Sequence, residues 1–145
     1  MARYVIDAPT LLYLADAGLE VDRGHQLVAP NSVRSEALGL LLHDVRAGKR
    51  EEAAALKTHE RMTEIKLRLL GDRVSRGTAW RIARQNDWGT LRDAEYLALT
   101  RLQADALVTV DPRLAAVAGD AVPVLPVDVL LAAGLSFRFV TDVVG

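Results

Sequence analysis

The amino-acid sequence predicts an α/β domain: a central parallel sheet of about four to five short strands, flanked by helices. Three observations lead there. Brief β-prone runs such as RYVI, QLVA and ALVTV recur along the 145 residues, and segments of helical composition separate them. Strands alternating with helices make βαβ units, and such units build parallel sheets. No repeat, low-complexity tract or linker-like change of composition divides the chain, so residues 1–145 read as one domain.

In order, Arg3 to Ile6 is a short strand that ends in Asp7. Ala8-Pro9-Thr10 then opens a helix to about Gly18, because the missing N–H of a proline has no partner in a first helical turn anyway. Gln26 to Ala29 is a brief buried strand. Pro30-Asn31-Ser32 punctuates the chain and offers N-cap chemistry to a helix over roughly Val33 to Val45. Arg50 to about Glu64 forms the next helix. Ile65, Leu67 and Leu69 alternate with Lys66 and Arg68, as in a half-exposed strand, although a helix continuing through Leu70 fits the same residues. Gly71-Asp72 breaks the chain, and Ser75 to Asn86 is helical until Trp88-Gly89. The stretch from Thr90 to Leu114 holds a helix, a short turn and the run ALVTV, which delivers Asp111 at its end. Pro123 to Val127 is a last strand, and 132–145 is a tail with short-helix character before a β-prone end.

Composition limits the function. With a net charge of -1, the whole chain does not advertise a polyanionic partner, so nucleic-acid binding would need a local basic patch or bound cations. Lysine occurs only at 49, 57 and 66; the remaining cations are arginines, a bias that a GC-rich genome also produces. Absence of cysteine excludes disulfides, thiolate metal sites and a cysteine nucleophile. No leader-like segment and no apolar run of ~20 residues is present, which places the expectation in the cytoplasm, away from membranes. Neither G-x-x-x-x-G-K-[ST] nor G-x-G-x-x-G occurs, so nucleotide-driven and dinucleotide chemistry lack support.

The chemistry lies in the carboxylates. Ligands of a parallel sheet gather outside the carboxyl ends of its strands, where Asp7 and Asp111 should both emerge. Each has a structural explanation too: Asp111-Pro112 is helix-initiation chemistry, and Asp7 can end a strand. Thr90-Leu91-Arg92-Asp93 fits a capping box. At ~100° per residue, however, Asp93 lines up with Leu97, Thr100 and Ala104 and so faces the packed side of its helix. Glu36 falls within the apolar stripe of Val33, Ala37, Leu40 and Leu41. A carboxylate there needs a neutralising partner, either an arginine or a cation shared with other acids. An oxygen-only set without cysteine or nearby histidine suits Mg²⁺ or Mn²⁺ rather than zinc, and phosphodiester hydrolysis is the chemistry such a site serves.

The ordered set VIDAPTLLYLA, VAPNSVRSEALGLL, GTLRDAEYLALTRLQADALVTVDPRLA and VPVLPVD resembles the PIN-domain family, in particular the VapC-type toxin ribonucleases of bacterial toxin-antitoxin pairs, over about residues 3 to 131. The resemblance implies a metal-dependent endoribonuclease, usually a homodimer, acting on an RNA substrate and inhibited by a cognate antitoxin. It places the family's metal ligands on Asp7, Glu36, Asp93 and Asp111, which would bind Mg²⁺ or Mn²⁺ and position the attacking water. One departure is Pro9, two residues after Asp7, where the family often has Ser or Thr; the next hydroxyl belongs to Thr10. The alternative is a PIN-like binding module without catalysis that acts through a protein partner. A phosphate-accepting receiver domain fits less well, with one acid after the first strand and no lysine beyond Lys66. His25, His43 and His59 show no metal-ligand spacing. Trp80, Trp88 and the arginines at 73, 76, 81 and 84 could meet RNA, but helix packing and a solvated face are the readings their sequence context favours.

Overall fold

A computed structural model describes residues 1–131, so the expectations for the 132–145 tail lie outside the described residues. Five parallel strands form one sheet in the order β3-β2-β1-β4-β5, where β1 is Ala2–Ile6, β2 His25–Pro30, β3 Arg68–Leu70, β4 Ala106–Val108 and β5 Val124–Leu125. The chain steps outward from β1 to β3, then returns to pair β4 with the free side of β1. That reversal leaves a crevice at the carboxyl ends of β1 and β4, the place where such sheets hold ligands.

Side-chain alternation explains why both faces are covered. Tyr4 and Ile6 of β1, Leu27 and Ala29 of β2, and Val108 of β4 enter one core with α1 (Ala8–Ala17), α2 (Val33–Arg46) and α3 (Glu52–Glu64). Val5, Val28 and Leu107 enter the other with α4 (Arg73–Gln85), α5 (Arg92–Gln103) and α6 (Pro112–Ala118). A reversed strand order with right-handed crossovers must put helices on opposite faces, as observed. This is why the strands read as continuous apolar runs rather than as alternating ones.

Most element boundaries match the sequence reading, with instructive exceptions. Gly18 ends α1 with φ 62°, a left-handed cap that side chains disfavour. Of the strand expected over residues 65–70, only Arg68–Leu70 pairs with β2; Ile65 and Leu67 instead tuck against the core beneath α3. The strand expected over Pro123 to Val127 is two residues long and turns into a 3-10 turn at Val127–Leu130. Ser32 stands at the N-cap of α2 but makes no side-chain capping bond. The capping box at Thr90 is absent as well: Leu91 is the cap residue of α5, without a capping bond, and Asp93 is engaged elsewhere. A capping box does form one helix earlier, between Asp72 and Ser75, and starts α4 two residues ahead of the expected Ser75. No helix among the described residues is long and apolar enough to cross a membrane.

Candidate active site at the sheet edge

Asp7 leaves the end of β1 and caps α1, whose second residue is Pro9. It is 2% exposed. One carboxylate oxygen, Oδ1, accepts from the Thr10 backbone N–H at 3.3 Å and from the Thr10 hydroxyl. The other accepts from the Thr109 hydroxyl at 2.7 Å. Burial pushes the Asp7 carboxyl above its ordinary range, against the opposing pull of the Thr10 and Thr109 hydrogen bonds. Both hydroxyls are also acceptors, Thr10 Oγ1 from the Val110 N–H and Thr109 Oγ1 from the Asp111 N–H, each at 3.0 Å. Asp7 is therefore tied to the loop after β4 by two threonines. Thr10, the residue after Pro9, supplies a hydroxyl to Asp7.

Asp111 caps α6, accepting from the Arg113 N–H at 2.9 Å ahead of Pro112 in the first helical turn. Asp93, in the first turn of α5, is held by the same residue through its side chain: Arg113 donates from Nη1 and Nη2 to the two Asp93 oxygens at 2.8 and 3.0 Å. The guanidinium also lies 3.6 Å from Asp111 Oδ2 and lowers the Asp93 pKa. A bidentate fork of this kind is the strong form of an arginine-carboxylate contact.

Glu36 occupies the first turn of α2, and its side chain is 18% exposed. The Tyr96 hydroxyl donates to Oε2 at 2.6 Å. Arg92 Nε lies 2.7 Å from Oε1, yet that buried oxygen has no aligned hydrogen-bond donor. The contact is an ion pair with a half-exposed Arg92 and leaves Oε1 without a hydrogen bond.

The four acids thus reach one edge of the sheet but sort into linked pairs: Asp7 with Asp111 through Thr109, Asp93 with Asp111 through Arg113, and Glu36 with α5 through Tyr96. Among the described residues no three carboxylates or imidazoles close around a single point. The donor chemistry still fits a hard divalent cation, being all oxygen, with Glu36 Oε1 unsatisfied and Asp7 buried without a cationic partner of its own. Arg113 supplies the positive charge between Asp93 and Asp111, and both would be freed by its movement.

Comparison with known proteins adds the fold. A crystal structure of PAE2754 from Pyrobaculum aerophilum is similar to this chain, with a TM-score of 0.64, 21% identity, and coverage of 97% of this chain and 98% of that one. No protein-family model and no curated protein matches the chain. At that identity the likeness concerns the α/β fold alone.

Arg113, Tyr96 and Thr109 are parts of the site that sequence reasoning passed over. Two had a signal: Thr109 interrupts an apolar run two residues before Asp111, and Tyr96 stands one helical turn after Asp93. The histidines take no part. His25 packs its ring edge-on to Tyr4 with centroids 5.2 Å apart, on the first residue of β2.

Proposed function

We propose that the chain is a metal-dependent endoribonuclease of PIN-domain type that hydrolyses RNA phosphodiester bonds, acting as the toxin of a toxin-antitoxin pair, as a homodimer restrained by a cognate antitoxin. The observation that carries this reading is the arrival of Asp7, Glu36, Asp93 and Asp111 at one sheet edge, with a buried Asp7 and an unsatisfied Glu36 oxygen. Glu36 is the acid with an oxygen left without a hydrogen bond, and Asp7 is held by two hydroxyls and a backbone N–H rather than by a salt bridge among the described residues.

Mg²⁺ or Mn²⁺ held by the four carboxylates would supply Lewis acidity toward a phosphoryl oxygen and lower the pKa of a bound water. The protein's own part is orientation. Thr10 and Thr109 fix both oxygens of Asp7, so the carboxylate presents itself without rotamer search. Tyr96 fixes Glu36 through one oxygen, while the other is met by the ion pair to Arg92. Arg113, exposed for about half its side chain, can turn from Asp93 to a substrate phosphate.

The test is cleavage of single-stranded RNA with Mg²⁺ or Mn²⁺ by the wild type, Asp7→Asn and Asp93→Asn. Cleavage that persists in EDTA, or that both variants retain, would rule the mechanism out. One observation favours the alternative of a PIN-like module that works through a protein partner: Arg113 already neutralises Asp93 and Asp111. Saturating Mn²⁺ that leaves the protein's thermal stability unchanged would decide for that alternative.

A further inference from the structure

Helix α4 carries charge unlike the rest of the chain. Its thirteen residues, RVSRGTAWRIARQ, include arginines 73, 76, 81 and 84 and no acid, whereas the whole chain sums to -1. At ~100° per residue these arginines share one face, and Trp80 lies at its middle, between Arg73, Arg76 and Arg84. The opposite face, with Ser75, Thr78, Ala79, Ile82 and Ala83, is buried against α5.

Trp80 is 60% exposed. A tryptophan serving only to pack would lie on the buried face; here the indole stands in solvent among cations. None of the four arginines forms a salt bridge among the described residues. Arg76 donates to the Gly71 carbonyl and Arg81 to the Thr78 hydroxyl, contacts that orient the guanidinium groups without neutralising them. Asp72, which caps α4, is held by Ser75 and feels the charge of Arg76 without a salt bridge to it.

The location connects this face to the acids. Because β3 runs directly into α4, Arg73 and Arg76 stand at the same carboxyl edge of the sheet. Arg76 lines a groove with Ser32 and Glu95, and those two residues also line the adjoining groove that contains Glu36 and Tyr96. A strand laid along α4 therefore leads past Ser32 to the proposed cutting site, with Glu95 as the acid at the junction.

We infer that the Arg73-Arg76-Trp80-Arg84 face of α4 binds single-stranded RNA, with phosphates on the arginines and one base stacked on Trp80. Charge complementarity selects this occupant. A second copy of the chain related by a two-fold axis would set four arginines against four arginines, whereas a single strand brings regularly spaced phosphates and unpaired bases. Over the twelve residues from Arg73 to Arg84 a helix rises ~16 Å, enough for several nucleotides. The destination of the strand rests on the ribonuclease reading; the binding itself does not.

The test uses the full chain and a labelled single-stranded oligoribonucleotide in EDTA, read by fluorescence anisotropy across a salt series. Wild type binds with log K falling against log salt at a slope of about -2, from about -0.7 per phosphate contacted. Arg76→Gln with Arg84→Gln reduces the slope by about 1.4. Trp80→Ala weakens binding about tenfold with the slope kept, and Trp80→Phe restores most of it. Arg101→Gln, an exposed arginine of α5, serves as the unchanged control. No binding by wild type, or equal binding by the α4 variants, overturns the inference. So does a dimer that Trp80→Ala dissociates while RNA affinity stays constant, which assigns the face to a second copy. If α4-dependent binding is found without cleavage in Mn²⁺, the ribonuclease reading fails and this one stands; cleavage with variant-insensitive binding gives the reverse.

Discussion

The Tyr96 hydroxyl donates to Glu36 Oε2 at 2.6 Å and joins α5 to the first turn of α2 across sixty positions of sequence. Burial and the adjacent carboxylate both raise the Tyr96 pKa, so the phenol remains a donor throughout the neutral range. Tyr96→Phe leaves Oε2 without its partner and Glu36 held only by its ion pair to Arg92. We expect a loss of about 1–2 kcal/mol in urea denaturation. In steady-state cleavage, kcat should fall on the order of tenfold, with KM little changed. An unchanged kcat would remove Tyr96 from the positioning apparatus.

Asp7→Asn should trade activity for stability. Burial raises the Asp7 pKa, so its contribution to folding is fully present below the ordinary carboxylate value and is lost as pH rises through the raised one. At neutral pH the charged form is therefore a liability, and the neutral amide, which still accepts from a threonine hydroxyl, relieves it. Thermal melts at pH 7 should show a higher Tm for the variant. The advantage should shrink as pH is lowered toward 4, and a constant difference across that range would contradict the assignment.

Removing Arg113 should tighten cation binding. Its guanidinium depresses the Asp93 pKa, and that contribution to stability is present above the ordinary carboxylate value and lost as pH falls through the depressed one. Half the arginine side chain is in solvent, so solvent screening limits the pair to about 1 kcal/mol or less. Arg113→Gln should cost that much in EDTA and show tighter Mn²⁺ affinity by calorimetry, because Asp93 and Asp111 no longer have a resident cation to release. Weaker affinity in the variant would mean that Arg113 organises the site rather than competes for it.

Thr10→Val tests the hydroxyl that follows Pro9. The substitution keeps shape in a fully buried position but removes a donor to Asp7 and an acceptor for the Val110 N–H. A buried N–H left unpaired costs about 1–3 kcal/mol. We expect that loss in chemical denaturation, most of it recovered by Thr10→Ser. A neutral Thr10→Val would show that the loop after β4 does not depend on this link.

The layer plan was legible because the three inner strands are short apolar runs and each is followed by a helical pattern. The two edge strands were less so. Residues 65–70 and 123–127 carry strand-like alternation, but β5 stops at Leu125 because its neighbour β4 ends at Val108, and residues 65–67 leave His25–Leu27 of β2 unpaired on that side because Ile65 still closes α3. Glu36 announced itself by sitting in an apolar stripe, and the structure gives it a tyrosine that periodicity could not name, since the two are sixty residues apart. Asp93 looked like a capping-box acid because a threonine precedes it by three; Arg113 wins instead, as a charged fork outweighs a backbone N–H for the same carboxylate. Pairing of that sort depends on where two chain segments meet, which local pattern does not encode.

The return of β4 to the open side of β1 also sets a clock on synthesis. A chain emerging from the ribosome can pair β1 with β2 and β2 with β3 early, for these follow one another in sequence, yet the loop bearing Thr109 and Asp111 has nothing to dock until β4 inserts. Through Gln103 the nascent polypeptide already holds Asp7, Glu36 and Asp93, but the far wall of the crevice is missing. The edge therefore assembles only once β4 has emerged, and a product interrupted before Ala106 lacks the Thr109 and Asp111 wall of the crevice.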